Sequence, residues 1–235
     1  MATTEIRKED VQLPKEFKDC LAFVLYNVFT EEECEEYINI SEDKGYSTAL
    51  INTGGNRQEL MTDIRNNSRC IWDTFEEVDK IWKRIEPFVP DVWNNRKVIG
   101  LNERLRILRY DPGEYFKSHY DGCYRRENGE RSYVTIQIYL NEGFEGGSTT
   151  FLGTLSDERV EVVPKTGSVL IFEHPILHEG SKLISGRKYA IRTDVMYSSK
   201  VIRSHKDNES STKEMTSQDI QNQLEELEEE RCKPS

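Results

Sequence analysis

The spacing of apolar residues changes once along the chain, near residue 100. Residues 1–18 are polar and have no period, so a loose segment is expected there. Residues 19–29 form a nearly continuous apolar run bounded by polar residues, which predicts a buried strand. Thr30 then offers an N-cap and Glu33, three residues on, completes a capping box. Cys34, Tyr37, Ile38 and Ser41 follow at helical spacing, and Gly45 is placed to end the helix. Residues 46–64, with Asn52, Thr53, Gly54, Gly55 and Asn56, read as a loop. A second helix is predicted from Asp73, with Val78, Ile81, Trp82 and Ile85 on one face and Pro87 beyond its end.

After residue 100 the pattern becomes one of short strands. The stretches Leu105–Tyr110, Tyr133–Leu140, Val160–Val163, Ser168–Phe172 and Lys188–Tyr197 are separated by turn chemistry such as Asp111-Pro112-Gly113 and Glu145-Gly146-Gly147. The expected fold is therefore mainly β with packed helices (α+β), a barrel or sandwich with the N-terminal helices on its outside. From Lys200 onward there are nine acidic and six basic residues and no aromatic. Ile220, Leu224 and Leu227 offer a short amphipathic face there, so the tail is either a solvated acidic segment or a helix that docks on a partner.

Composition narrows the function classes. A chain of 235 residues buries roughly 70% of its unfolded surface, enough for a core without disulfides. The net charge of −11 demotes nucleic-acid binding, which relies on a basic surface. The longest apolar stretch, Cys20–Phe29, is about half the ~20 residues of a membrane span. No secretory signal is recognisable, so no membrane association is expected. Five scattered cysteines without a CxxC suit reduced thiols in the cytosol or nucleus.

Four histidines carry the candidate chemistry: His119, His174, His178 and His205. His119 and Asp121 are two apart, so on a strand both point to one face. A further histidine from a neighbouring strand would make two imidazoles and one carboxylate. That donor set suits non-haem Fe(II), with zinc as the competitor. His178 and His174 both lie within reach of the role. The same parity puts Lys188, Ala190, Arg192 and Asp194 on one face of the last strand. That face lines a barrel if Lys188 meets a buried anion, and faces solvent if it does not.

The run Arg109-Tyr110-Asp111-Pro112-Gly113-Glu114-Tyr115-Phe116-Lys117-Ser118-His119-Tyr120-Asp121 resembles the RYxxGxxFxxHxD segment of the prolyl 4-hydroxylase-like 2-oxoglutarate/Fe(II) dioxygenases. Tyr139-Leu140-Asn141 with Gly146-Gly147-Ser148-Thr149-Thr150-Phe151 is similar to that family's YLN…GGxTxF. Pro164 to Phe172 is similar to its PxxGxxLxF, and His178-Glu179-Gly180 with Gly186-Arg187-Lys188-Tyr189 to its HxG…GxKY.

The resemblance implies a double-stranded β-helix (jelly-roll) core, with a single dioxygenase domain over residues 19–199, a motif core at 100–199, a flexible segment at 1–18 and an acidic tail at 200–235. It implies His119, Asp121 and His178 as iron ligands, with His178 preferred to His174 because it opens the HxG. It implies Lys188, rather than Arg187, as the cation for the distal carboxylate of 2-oxoglutarate, with Tyr110 and Thr135 adding hydroxyls. It implies Fe(II), 2-oxoglutarate and O2, with L-ascorbate as reductant. The implied reaction is C–H hydroxylation of a prolyl residue in a peptide or protein with release of succinate and CO2. The same chemistry on another side chain or small molecule, and a silent binding module, are the alternatives. Arg192 would either contact substrate or pair with Asp194. The loops 46–64 and 122–132 are candidates for covering the site, and the polar cluster Arg65-Asn66-Asn67-Ser68-Arg69 either faces the substrate or is ordinary surface.

Overall fold

The computed structural model describes residues 5–54 and 57–202. The tail beyond, with the amphipathic face at Ile220, Leu224 and Leu227 and with His205, lies outside them.

Two antiparallel sheets face each other. We number the main strands β1 (Arg7–Asp10), β2 (Ala22–Tyr26), β3 (Ser68–Asp73), β4 (Arg96–Leu101), β5 (Arg104–Tyr110), β6 (Phe116–His119), β7 (Arg131–Tyr139), β8 (Thr149–Leu152), β9 (Arg159–Val162), β10 (Val169–Glu173), β11 (His178–Gly180) and β12 (Lys188–Val201). The helices are α1 (Glu31–Lys44) and α2 (Phe75–Ile85). The major sheet runs β1-β2-β10-β7-β12-β5-β3, with the short strand Ser47–Thr48 at its edge and β4 also paired to β12. The minor sheet runs β6-β11-β8-β9.

Strand parity divides the interior in two. Phe23, Leu25, Leu105, Ile107, Val134, Ile136, Ile138, Val169, Ile171 and Ile191 share one cluster with Cys34, Tyr37, Val78, Ile81 and Ile85 of the helices. Ala22, Val24, Tyr139, Leu170, Phe172 and Ala190 point the other way and meet Phe151 of the minor sheet. Each large apolar side chain buried in this manner contributes ~1.5–3 kcal/mol. The major sheet is thus buried on both faces, which is why its central strands read as apolar runs rather than alternations.

The predicted capping box is present. Glu33 N–H donates to Thr30 Oγ1 (3.2 Å) and Thr30 N–H donates to Glu33 Oε2 (2.9 Å). Gly45 ends α1 with φ +84°, in the left-handed region.

Several boundaries differ from the sequence reading. Asp73 closes β3 and Thr74 caps α2, its hydroxyl accepting from Glu77 N–H. Within the 1–18 segment expected to be loose, Arg7–Asp10 pairs along β2 as an edge strand. The 46–64 loop holds the short strands Ser47–Thr48, Ile51–Gly54 and Arg57–Glu59. Strands β3, β4, β6, β8 and β11 were not predicted; β6, β8 and β11 have at most four residues, too few to show a period. Among the described residues, no helix is long and apolar enough to cross a membrane.

Candidate metal and cosubstrate site

In the minor sheet β6 pairs with β11, and His119 stands opposite His178. Asp121 lies two residues past β6, and its N–H donates to the His174 carbonyl (3.1 Å). His119, Asp121 and His178 each offer a ligand atom within 4.8 Å of the others. His119 Nε2 is 3.7 Å from Asp121 Oδ1, and His178 Nε2 is 3.7 Å from Asp121 Oδ2.

The far side of each ring fixes its tautomer. His119 Nδ1 lies 2.7 Å from the Lys117 carbonyl and His178 Nδ1 lies 2.9 Å from the Ile176 carbonyl. A carbonyl only accepts, so each Nδ1 donates its proton and each Nε2 keeps a lone pair facing Asp121. Phe116 stacks on the His119 ring at 3.6 Å, and Phe172 meets the His178 ring edge-on at 4.7 Å. The rings therefore have little freedom to turn.

The charge states suit a cation. Burial pulls His119 down to about 3, helped by His178 and opposed by Asp121. Burial likewise lowers His178. Burial alone would raise Asp121, but the Arg192 guanidinium and the imidazoles of His178 and His119 outweigh it and hold the carboxyl well below its usual range. Two neutral imidazoles and one carboxylate on one face fit a divalent first-row ion and leave its other positions open.

A second feature lies at the start of β12. Lys188 is 2% exposed, and its Nζ donates to the Gly147 carbonyl (2.6 Å). Its ammonium lies 5.2 Å from the Tyr110 ring centre and 5.6 Å from that of Tyr139. Burial alone pulls its pKa down to about 7. Gly147 makes the close approach possible: its φ is +67°, and a Cβ there would sit 3.3 Å from Lys188 Cδ. Arg187, the competitor, pairs with Asp111 at the surface (2.6 Å) and is half exposed.

The structure brings Tyr110 beside Lys188 through the β5–β12 register. Thr135 stands elsewhere: it pairs with Asp194 across the strands, and its hydroxyl donates to Asp121 Oδ2 (2.6 Å). Tyr139 and Thr149, whose hydroxyls are 2.8 Å apart, occupy the Lys188 end instead. Arg192 forks between Asp121 Oδ1 (2.8 Å) and Asp194 Oδ1 (3.4 Å). Asp194 also faces Arg106 (3.3 Å) and His174 (3.6 Å). His174 thus packs against Asp194, outside the triad.

Sequence reasoning missed Arg106 and gave Arg65 only as part of a polar cluster. The alternation along β5 carried a signal for Arg106, since residues 106, 108 and 110 share a face. Nothing local singled out Arg65.

Residues 105–193 match the model of the 2OG-Fe(II) oxygenase superfamily. The putative prolyl 4-hydroxylase of Acanthamoeba polyphaga mimivirus is 27% identical over 186 residues, covering 71% of this chain and 70% of the relative. Prolyl 4-hydroxylase 5 of Arabidopsis thaliana is 26% identical over 204 residues, covering 72% and 66%. The chain spans about two thirds of the length of these relatives. The viral collagen prolyl hydroxylase of Paramecium bursaria Chlorella virus-1, solved with 2OG, superposes with a TM-score of 0.52 at 23% identity, over 82% of this chain and 96% of that one. A Trichoplax adhaerens prolyl hydroxylase, solved with a hypoxia inducible factor peptide fragment, gives 0.54 at 16% identity, over 81% and 82%. The structural likenesses show the fold, a jelly roll of two antiparallel sheets. Over its motif core the chain is thus similar to the 2OG-Fe(II) oxygenase superfamily. Both of these curated relatives are named as prolyl 4-hydroxylases.

Proposed function

We propose that the protein hydroxylates a prolyl residue in a peptide or protein, with His119, Asp121 and His178 holding Fe(II) and Lys188 holding 2-oxoglutarate. The observation that carries this reading is the pairing of the triad with a buried lysine. An ammonium at 2% exposure whose hydrogen-bond partner is a neutral carbonyl is costly unless an anion joins it.

When bound, the metal, 2-oxoglutarate and O2 supply oxidative decarboxylation to succinate and CO2 coupled to hydroxylation of a C–H bond. The chain's residues do the rest. His119 and His178 present Nε2 in a fixed tautomer, and their Nδ1 protons stay on backbone carbonyls. Thr135 and Arg192 each donate to one oxygen of Asp121, which fixes the plane of its carboxylate. Lys188, next to Tyr110, receives the distal carboxylate, and Phe151, Phe172 and Tyr139, all at 0% exposure, keep water from the floor of the site. A cytosolic or nuclear setting, and L-ascorbate as reductant, belong to the same proposal.

Anaerobic titration of the Fe(II) protein with 2-oxoglutarate tests it through the weak metal-to-ligand charge-transfer absorption. Wild type should develop the band, and Lys188→Ala should need far more 2-oxoglutarate. A band unaffected by Lys188→Ala would sink the lysine's role. Succinate release stimulated by proline peptides, with a mass gain of one oxygen on the peptide, tests the substrate. Release only with non-prolyl compounds would overturn that part.

A further inference from the structure

The inner face of the major sheet is closed at one side and open at the other. Leu170, Phe172 and Ala190 are at 0% exposure, whereas Ile71, opposite Arg106 on β3, is 39% exposed. The face is therefore open toward β3 and β5. That opening is lined by cations.

Arg65 is 8% exposed and bridges by its backbone to Phe116, the first residue of β6. Its guanidinium lies 4.5 Å from the Phe116 ring centre, and Phe116 in turn stacks on His119. Its hydrogen-bond acceptor is the neutral Asn67 Oδ1 (2.7 Å), and no carboxylate among the described residues lies in ion-pair range of it. Arg106, directly across from Arg192 in the β5–β12 register, is 20% exposed and shares the single carboxylate of Asp194 with Arg192.

The charge balance points the same way. Three guanidiniums, the Lys188 ammonium and a divalent ion face Asp121, Asp194 and the two carboxylates of 2-oxoglutarate. With the charges of the divalent ion and 2-oxoglutarate cancelling, a local excess of cations over carboxylates is left in a largely buried site. It is placed in a chain whose net charge is −11, so it is a local feature and not a reflection of composition.

We propose that the substrate brings a carboxylate, an Asp or Glu side chain beside the reacting prolyl residue, and that Arg65 and Arg106 receive it on the two sides of the opening. This rests on the prolyl hydroxylase reading above. Exposed Ile71 offers an apolar floor beside Arg106 for the rest of the peptide. Arg65, preformed and short of a counter-ion, is the stronger anchor, because a buried guanidinium gains most from an oxyanion. A free amino acid would present the same carboxylate chemistry, and the test separates the two sources.

The experiment uses the full-length protein loaded with Fe(II) and 2-oxoglutarate. Acetylated, amidated proline peptides are offered in matched Asp/Asn and Glu/Gln pairs flanking the proline. Anaerobic binding is read from the perturbation of the charge-transfer band, and turnover from succinate and peptide mass. The acidic member should win by about tenfold or more in kcat/KM, chiefly through KM, and the gap should narrow with added salt. Arg106→Gln and Arg65→Gln should each shrink the acid-to-amide ratio, and Arg65→Lys should restore part of it. The ratio is internal to each variant, so partial loss of folded protein leaves it intact. Equal kcat/KM for acid and amide, or binding of neither, would overturn the proposal. Turnover of free carboxylate-bearing amino acids without turnover of any capped peptide would overturn it too and assign the carboxylate to a small molecule. Loss of the charge-transfer band itself would instead mark failure of the oxygenase reading.

Discussion

A lysine at 2% exposure with a pKa pulled down to about 7 would, in the role proposed for Lys188, tie 2-oxoglutarate affinity to pH. In that role the distal carboxylate needs the ammonium. Above pH 7 the unliganded protein has lost that proton and must take it up again to bind. The apparent Kd for 2-oxoglutarate should therefore be flat below about pH 7 and rise up to about tenfold per unit above it. Lys188→Arg should abolish the rise, since a guanidinium stays charged throughout. Anaerobic titrations at several pH values would measure this, and parallel curves for the two proteins would refute it. The neighbouring assignment concerns Arg192. Because it donates to Asp121 Oδ1, Arg192→Gln should weaken metal binding by about 10–100-fold, the usual range for groups that orient a ligand. Competition with a fluorescent chelator would show it, and unchanged affinity would make Arg192 a strand-holding residue only.

At the scale of elements, Glu33 joins two helices. It completes the cap of α1 and also pairs with Arg84 of α2 through Arg84 Nη1 (2.8 Å), while the same Nη1 donates to the Val28 carbonyl (2.9 Å). Thr30→Ala should cost about 1 kcal/mol, the usual loss of an N-cap. Glu33→Ala should cost more, because it removes the reciprocal cap and leaves Arg84 without its carboxylate. Urea denaturation of both variants would check the order, and equal losses would mean that the Arg84 pair adds nothing. The cap was legible from Thr30 and Glu33 because it is written within four residues. The His119–Asp121 pair was legible for the same reason, and strand parity gave Lys188, Arg192 and Asp194 one face. What the sequence could not show was which strand lies next to which. Thr135 reads as a hydroxyl in the right strand, yet the register of β7 against β12 sets it at Asp194 and not at Lys188. Arg65 was legible only as one of a polar cluster open to facing substrate or solvent, because the bridge from its loop to Phe116 spans about fifty positions.

For the molecule as a whole, an ion held by the triad would clip the paired strands β6 and β11 and, through Asp121, tie them to Thr135 of β7 and Arg192 of β12 in the major sheet. An ion that binds the folded protein and not the unfolded chain stabilises it by mass action. Adding Fe(II), or Mn(II) as a redox-silent substitute, to chelator-stripped protein should raise Tm by several degrees, about 3 kcal/mol at a hundredfold excess over Kd. Asp121→Ala should lose that rise while gaining none from 2-oxoglutarate alone. An equal rise in the variant would place the ion elsewhere.

Strand β12 runs fourteen residues and carries Lys188, Arg192 and Asp194 on one face while Tyr189, Ile191 and Val195 pack beneath the helices on the other. Because neighbouring side chains alternate, losing or gaining one residue there exchanges the two sets. The proposed cosubstrate anchor, the support for Asp121 and the hydrophobic underside would fail together. Evolution can therefore lengthen or shorten this protein in its connecting loops, but it can alter this strand only by exchanging one side chain for another. An insertion and deletion scan should find a gap in tolerance from 188 to 195, and tolerated length changes there would show that the register is less binding than the geometry requires.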